Sequence, residues 1–81
     1  MKAKIHITLK SGVLDPQGKA IEGALRGLGF ATVAGARQGK VIELTLAETD
    51  ETTARARVEE MCKKLLANPV MENYAIELSS S

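Results

Sequence analysis

Aromatic residues are nearly missing from this chain, which has no tryptophan, one tyrosine and one phenylalanine. A sheet that binds single-stranded RNA stacks bases on exposed rings. Phe30 and Tyr74 lie off the strands that would carry such rings, so that class is excluded. Cysteine is limited to Cys62 and histidine to His6. One of each makes neither an internal disulfide nor a structural zinc site. A metal chaperone would want Cys-x-x-Cys near the first loop, where this chain has Ser11-Gly12-Val13-Leu14. Charge of one sign is also lacking: 11 basic and 10 acidic residues leave a formal net charge of +1, giving no general attraction to nucleic acid or an anionic membrane. No apolar run approaches the roughly 18 residues of a membrane span, and the N-terminus alternates where a signal peptide would be continuously apolar. Low cysteine use and no leader point to a reducing cytoplasm.

What is present suits one small globular domain over residues 1–81, 44% hydrophobic and 26% charged. A domain this size buries only roughly 60% of its unfolded surface, so a partner chain would supplement a marginal core. Ala3, Ile5, Ile7 and Leu9 alternate with Lys4, His6, Thr8 and Lys10, the period of a strand with one buried face. Asp15-Pro16 then supplies a capping carboxylate and a proline at the first helical position. Ala20, Ile21, Ala24, Leu25 and Leu28 recur at helical spacing, and Gly29 sits where a left-handed residue ends a helix.

Residues 31–38 are small and weakly patterned and are read as a further strand, joined by a hairpin at Gln38-Gly39-Lys40 to a strand carrying Ile42, Leu44 and Leu46. A second helix opens at Thr49 or Asp50, with Ala54, Val58, Met61, Cys62 and Leu65 as its apolar stripe, and stops at Asn68-Pro69. Tyr74, Ile76 and Leu78 mark a last strand before a frayed Ser79-Ser80-Ser81 tail. The order βαββαβ predicts an α+β, ferredoxin-like, two-layer fold: an antiparallel sheet with two helices on one face and the other face bare.

Catalytic chemistry is hard to place on these residues. Cys62 falls on an apolar stripe, where a thiol behaves as a small hydrophobe, and a lone His6 on a polar strand face reads as a surface or interface residue before a general base or ligand. Gly35 to Lys40 (GARQGK) has three residues between its glycines where a phosphate loop needs four, and Val41 follows in place of Ser or Thr. Arg37 and Lys40 remain available for an anion or a partner's carboxylate, or as solvated charges. RGLGF lacks the third glycine of a dinucleotide fingerprint.

Glycines stand where a helix least wants them. Gly18, Gly23 and Gly27 each cost roughly 0.5 to 1 kcal/mol relative to alanine. Gly23 and Gly27, four apart with Ala20 and Ala24 alongside, would admit a second backbone closely. That backbone is either the chain's own or another subunit's.

KSGVLDPQG from Lys10, a short helix ending in LGF, and MCKKLLANPVMENYAIEL from Met61 resemble the PurS family, the small subunit of formylglycinamide ribonucleotide amidotransferase (phosphoribosylformylglycinamidine synthase). The likeness runs from Lys2 to Leu78, with Gly12 to Gly18 and Leu65 to Pro69 its most specific parts. Met71 stands where the family would be expected to have a branched aliphatic residue. The resemblance implies a non-catalytic subunit that forms at least a dimer. It would bridge a glutaminase subunit and a larger synthetase subunit that uses ATP and Mg, in de novo purine synthesis. No cofactor, metal or catalytic residue is implied in this chain. The candidate interface positions are Asp15, Pro16, Gln17, Gly18, Gly23, Gly27, Arg37, Lys40, Asn68 and Tyr74. An ACT-like regulatory domain shares the strand order and a similar first turn, but such domains are usually tethered to an enzyme, whereas this sequence reads as a free-standing chain. A purely structural oligomer is a third class.

Overall fold

The computed structural model describes residues 1–80. Strand β1 (Lys2–Leu9) is central, flanked by β2 (Gly39–Thr45) and β3 (Glu72–Ser79), both antiparallel to it. Helix α1 (Pro16–Gly27) lies between β1 and β2, and helix α2 (Glu51–Met61) between β2 and β3. Because β2 and β3 flank β1 in the same direction, α2 is the crossover of a split βαβ unit. The α+β class and the antiparallel sheet follow the sequence pattern.

Alternation decides which side of the sheet is buried. The register aligns Leu44, Ala3 and Leu78 in one row and Ile42, Ile5 and Ile76 in the next. Ala3, Ile5 and Ile7 are buried with Val58, Cys62 and Ala67, while Ile42, Leu44, Tyr74, Ile76 and Leu78 pack around them half-covered. The opposite face carries Lys4 paired with Glu43 at 3.7 Å and His6 with Glu77 at 3.2 Å. Both pairs are exposed, and such pairs stabilise little.

Three expectations need correction. Residues 31–38 form no strand, and Gln38-Gly39-Lys40 is no hairpin, since β2 already begins at Gly39. Three of the segment's backbone groups bond outside any sheet: Val33 N donates to Phe30 O, Val33 O accepts from Arg26, and Gln38 N donates to Asp15. The sheet of the described residues therefore has three strands.

Second, α1 does not cover the sheet beside α2. Its only buried residues are Gly18 and Glu22, while Ala20, Ile21, Ala24 and Leu28 are exposed. Third, the last turn of the second helix widens into a π-turn over Cys62–Leu66, closed by Ala67 N donating to Cys62 O. The extra residue per turn rotates the stripe, so Leu65 is 83% exposed and Ala67 is buried. Ser79 ends β3, where the sequence suggested fraying, and Ser81 lies outside the described residues.

Candidate assembly interface

Helix α1 is placed by local chemistry. Asp15 caps it, its Oδ1 accepting from Gly18 N at 2.9 Å, and Pro16 occupies the first turn. At the other end Gly29 takes φ +102°, and Phe30 N donates to Leu25 O. That is the left-handed termination the sequence signalled. The helix then presents distinct sides. Gly18, Glu22 and Arg26 face the returning segment: Glu22 is buried and takes Arg26 at 3.1 Å and Lys19 at 3.5 Å, and Arg26 Nε donates to Val33 O at 3.0 Å. The ion pairs lie within α1 and orient Arg26, whose hydrogen bond to Val33 O ties α1 to residues 31–38 as one arm.

Ile21, Ala24, Leu25 and Leu28 form another side by their spacing, and within the chain it has little to bury against. Leu28 is 75% exposed and Ile21 42%, with exposed Leu14 and Phe30 at the two ends of the helix. Gly23 and Gly27 continue round from Ala20 and Ala24. A Cβ built on either meets nothing within 4 Å. Close packing against the chain's own sheet is thereby ruled out as the reason for these two glycines.

The remaining candidate positions fall into two groups. Asp15, Pro16, Gln17 and Lys40 line one cleft with Ile7, Leu9 and Glu72, beside Gly18 and Arg37. Asp15 is the hub: its Oδ2 accepts from Gln38 N at 2.8 Å. The hydrogen bonds from Gln38 N and then Gly18 N, with the nearby Arg37 charge, hold its carboxyl below the usual range. Asn68 and Tyr74 stand elsewhere. Asn68 shapes the turn into β3, its Oδ1 accepting from Val70 N at 3.1 Å and its N donating to Glu72 Oε1 at 2.7 Å. Tyr74 packs half-buried against the core. Ile21, Leu28 and Leu65, which their spacing places on the apolar stripes of the helices, are exposed.

Among the described residues no nucleophile is poised beside a base. Cys62 is fully buried, and burial, with Glu59 nearby, pushes its thiol pKa up, away from the reactive thiolate. No group of three or more His, Cys, Asp or Glu among the described residues could hold a metal ion, and no helix there is long and apolar enough to cross a membrane.

The molecule is elongated, 48 × 28 × 14 Å, with a radius of gyration of 16.1 Å; a compact domain of this length would have about 12 Å. Its surface is 5719 Å², against about 4,700 Å² for a compact chain of this mass.

Residues 2–80 match the family model PurS: phosphoribosylformylglycinamidine (FGAM) synthase. The subunit PurS of phosphoribosylformylglycinamidine synthase from Synechocystis sp. is 47% identical over 77 residues, covering 95% of this chain and 77% of that one. Among solved structures, Methanocaldococcus jannaschii PurS, one of the subunits of formylglycinamide ribonucleotide amidotransferase in the purine biosynthetic pathway, superposes with a TM-score of 0.85 at 47% identity, over 94% of this chain and 92% of that one. A chain of PurLQS from Thermotoga maritima does so at 0.85 and 36% identity, over 94% and 93%. The chain belongs to the PurS family of phosphoribosylformylglycinamidine synthase subunits.

Proposed function

We propose that this chain is the non-catalytic small subunit of that synthase. It associates with a second copy and bridges the glutaminase and ATP-dependent synthetase subunits. The observation that carries the reading is the unpartnered apolar side of α1 on a chain exposing about 1,000 Å² more than a compact one would. That surplus is comparable to the roughly 800 Å² each partner contributes to a standard interface. The similarity to a chain of PurLQS supports a place in a larger assembly.

In this reading the partners do the chemistry in the cytoplasm. One hydrolyses glutamine, and the other uses ATP and Mg to activate the amide oxygen of formylglycinamide ribonucleotide. The products are formylglycinamidine ribonucleotide, glutamate, ADP and phosphate. The small subunit fixes the geometry between the two active sites. Its contacts with other chains are proposed at Ile21, Leu25 and Leu28 with Gly23 and Gly27, and around the cleft of Asp15, Pro16, Gln17, Gly18, Arg37 and Lys40. Asn68 and Tyr74 are proposed as contacts at the β3 end.

The test is reconstitution. The purified chain alone should turn over neither glutamine nor ATP. Mixed with the glutaminase and synthetase subunits, it should enter a complex of defined native mass and raise glutamine-dependent synthesis. Turnover by the isolated chain, or full activity of the other two subunits without it, would sink the proposal.

A further inference from the structure

The arm formed by α1 and residues 28–38 leaves the sheet at Leu9 and rejoins it at Gly39. Between those points α1 contributes no residue to the hydrophobic core. Two cross-braces join its exit and its return. Asp15, on the outgoing segment, accepts from Gly18 N with one oxygen and from Gln38 N, 23 residues on, with the other. Arg37, on the returning segment, donates to the carbonyls of Leu9 and Lys10 on the outgoing side.

Glycines let the backbones come this close. A Cβ at Gly18 would stand 2.5 Å from Ala36 O, and one at Gly39 would stand 2.5 Å from Ile7 O. Each brace thus runs from one side of the junction to the other, and each closes on main-chain atoms, whose positions do not depend on rotamers. A charged donor or acceptor makes both hydrogen bonds stronger than neutral ones.

We infer that Asp15 and Arg37 form a clasp that sets the angle of the arm against the sheet, and so the geometry in which the apolar side of α1 meets another chain. The clasp itself is intrachain; its consequence for assembly rests on the reading of α1 as an interface. Without it the arm would keep its internal Glu22–Arg26 ties and its helix, but would pivot at residues 10–15 and 36–39.

The full chain carrying Thr32→Cys, at the arm's tip, and Thr52→Cys, on α2, tests this. Both sites are exposed, and buried Cys62 stays unlabelled. With spin labels attached and the chain diluted into unlabelled protein, the parent should give one narrow intrachain distance distribution. The double variant Asp15→Asn/Arg37→Met should broaden it about twofold or more while circular dichroism and amide protection of the sheet are retained, as for release of a rigid arm at a hinge. An unchanged width overturns the clasp.

Should the double variant fail to fold, Asp15→Asn alone still decides. Asparagine keeps an oxygen for Gly18 N but offers no second acceptor to Gln38 N. Exchange of the Gln38 amide should therefore accelerate while that of Gly18 does not, and equal protection of Gln38 overturns the clasp. Broadened distances with unaltered self-association would support the clasp and refute instead the reading of α1 as an interface.

Discussion

Replacing Leu28 by alanine separates an interface helix from a core helix. Leu28 is 75% exposed in the chain. If α1 packed on its own sheet, truncation would cost the 2–5 kcal/mol typical of a buried leucine and lower the melting temperature of the isolated chain. If the side chain is covered only by a second copy, the cost falls on association. Fully burying a leucine is worth about 1.5–3 kcal/mol, so losing most of the side chain at a three-quarters exposed site removes about 1 kcal/mol per copy. A two-fold interface uses the residue twice. The dimer should lose about 2 kcal/mol, a roughly thirtyfold rise in its dissociation constant. A sedimentation dilution series gives the constant, and thermal unfolding at a concentration where the chain is monomeric gives the intrinsic stability. An unchanged dissociation constant, or a monomer destabilised by 2 kcal/mol or more, would refute the reasoning.

Gly23→Ala and Gly27→Ala should raise or leave unchanged the melting temperature of the isolated chain, since alanine gains roughly 0.5–1 kcal/mol in a helix and the added Cβ meets no atom of the chain within 4 Å. Both should weaken assembly; variants that are more stable and assemble normally would remove these glycines from the interface. Cys62→Ala should destabilise the chain by roughly 1–2 kcal/mol through a small core cavity and leave the activity of the complex intact at low temperature, checked by melting and synthase assays on one preparation. Stability should also depend on acid. The carboxyls of Asp15, held by Gln38 N and Gly18 N, and of Asp50, held by the Thr53 hydroxyl and amide, lie below their ordinary value of 3.8 when folded. Their contribution is complete above the unfolded value and is lost as pH falls through the folded ones. Melting temperatures should thus be flat from neutral pH to about 5 and fall below about 4, with a shallower fall for Asp50→Asn; a fall of equal steepness in that variant would refute the assignment to this cap.

Signals that act within a few residues were legible in the sequence. Strand β1 showed in its alternation, both helix starts in Asp15 and Asp50, and the end of α1 in Gly29, because capping and left-handed termination depend only on neighbouring backbone groups. Buried Cys62 was placed by the same periodicity. Residues 31–38 misled because weakly apolar residues such as Val33 and Ala36 fit a strand, yet Arg26 took Val33 O and Asp15 took Gln38 N as partners. The π-turn at Cys62–Leu66 was invisible because one extra residue in a helical turn leaves composition unchanged while moving Leu65 from the stripe to the surface. The side of α1 formed by Ile21, Leu25 and Leu28 announced that it would be buried, but periodicity names a face and never its neighbour. Only the tertiary structure shows that face turned away from the chain's own core and Asp15 joined to Gln38. Beyond the few residues of a cap, distance along the chain carries no information about which backbone amide a carboxylate will reach, and packing, which does, is a property of the folded whole.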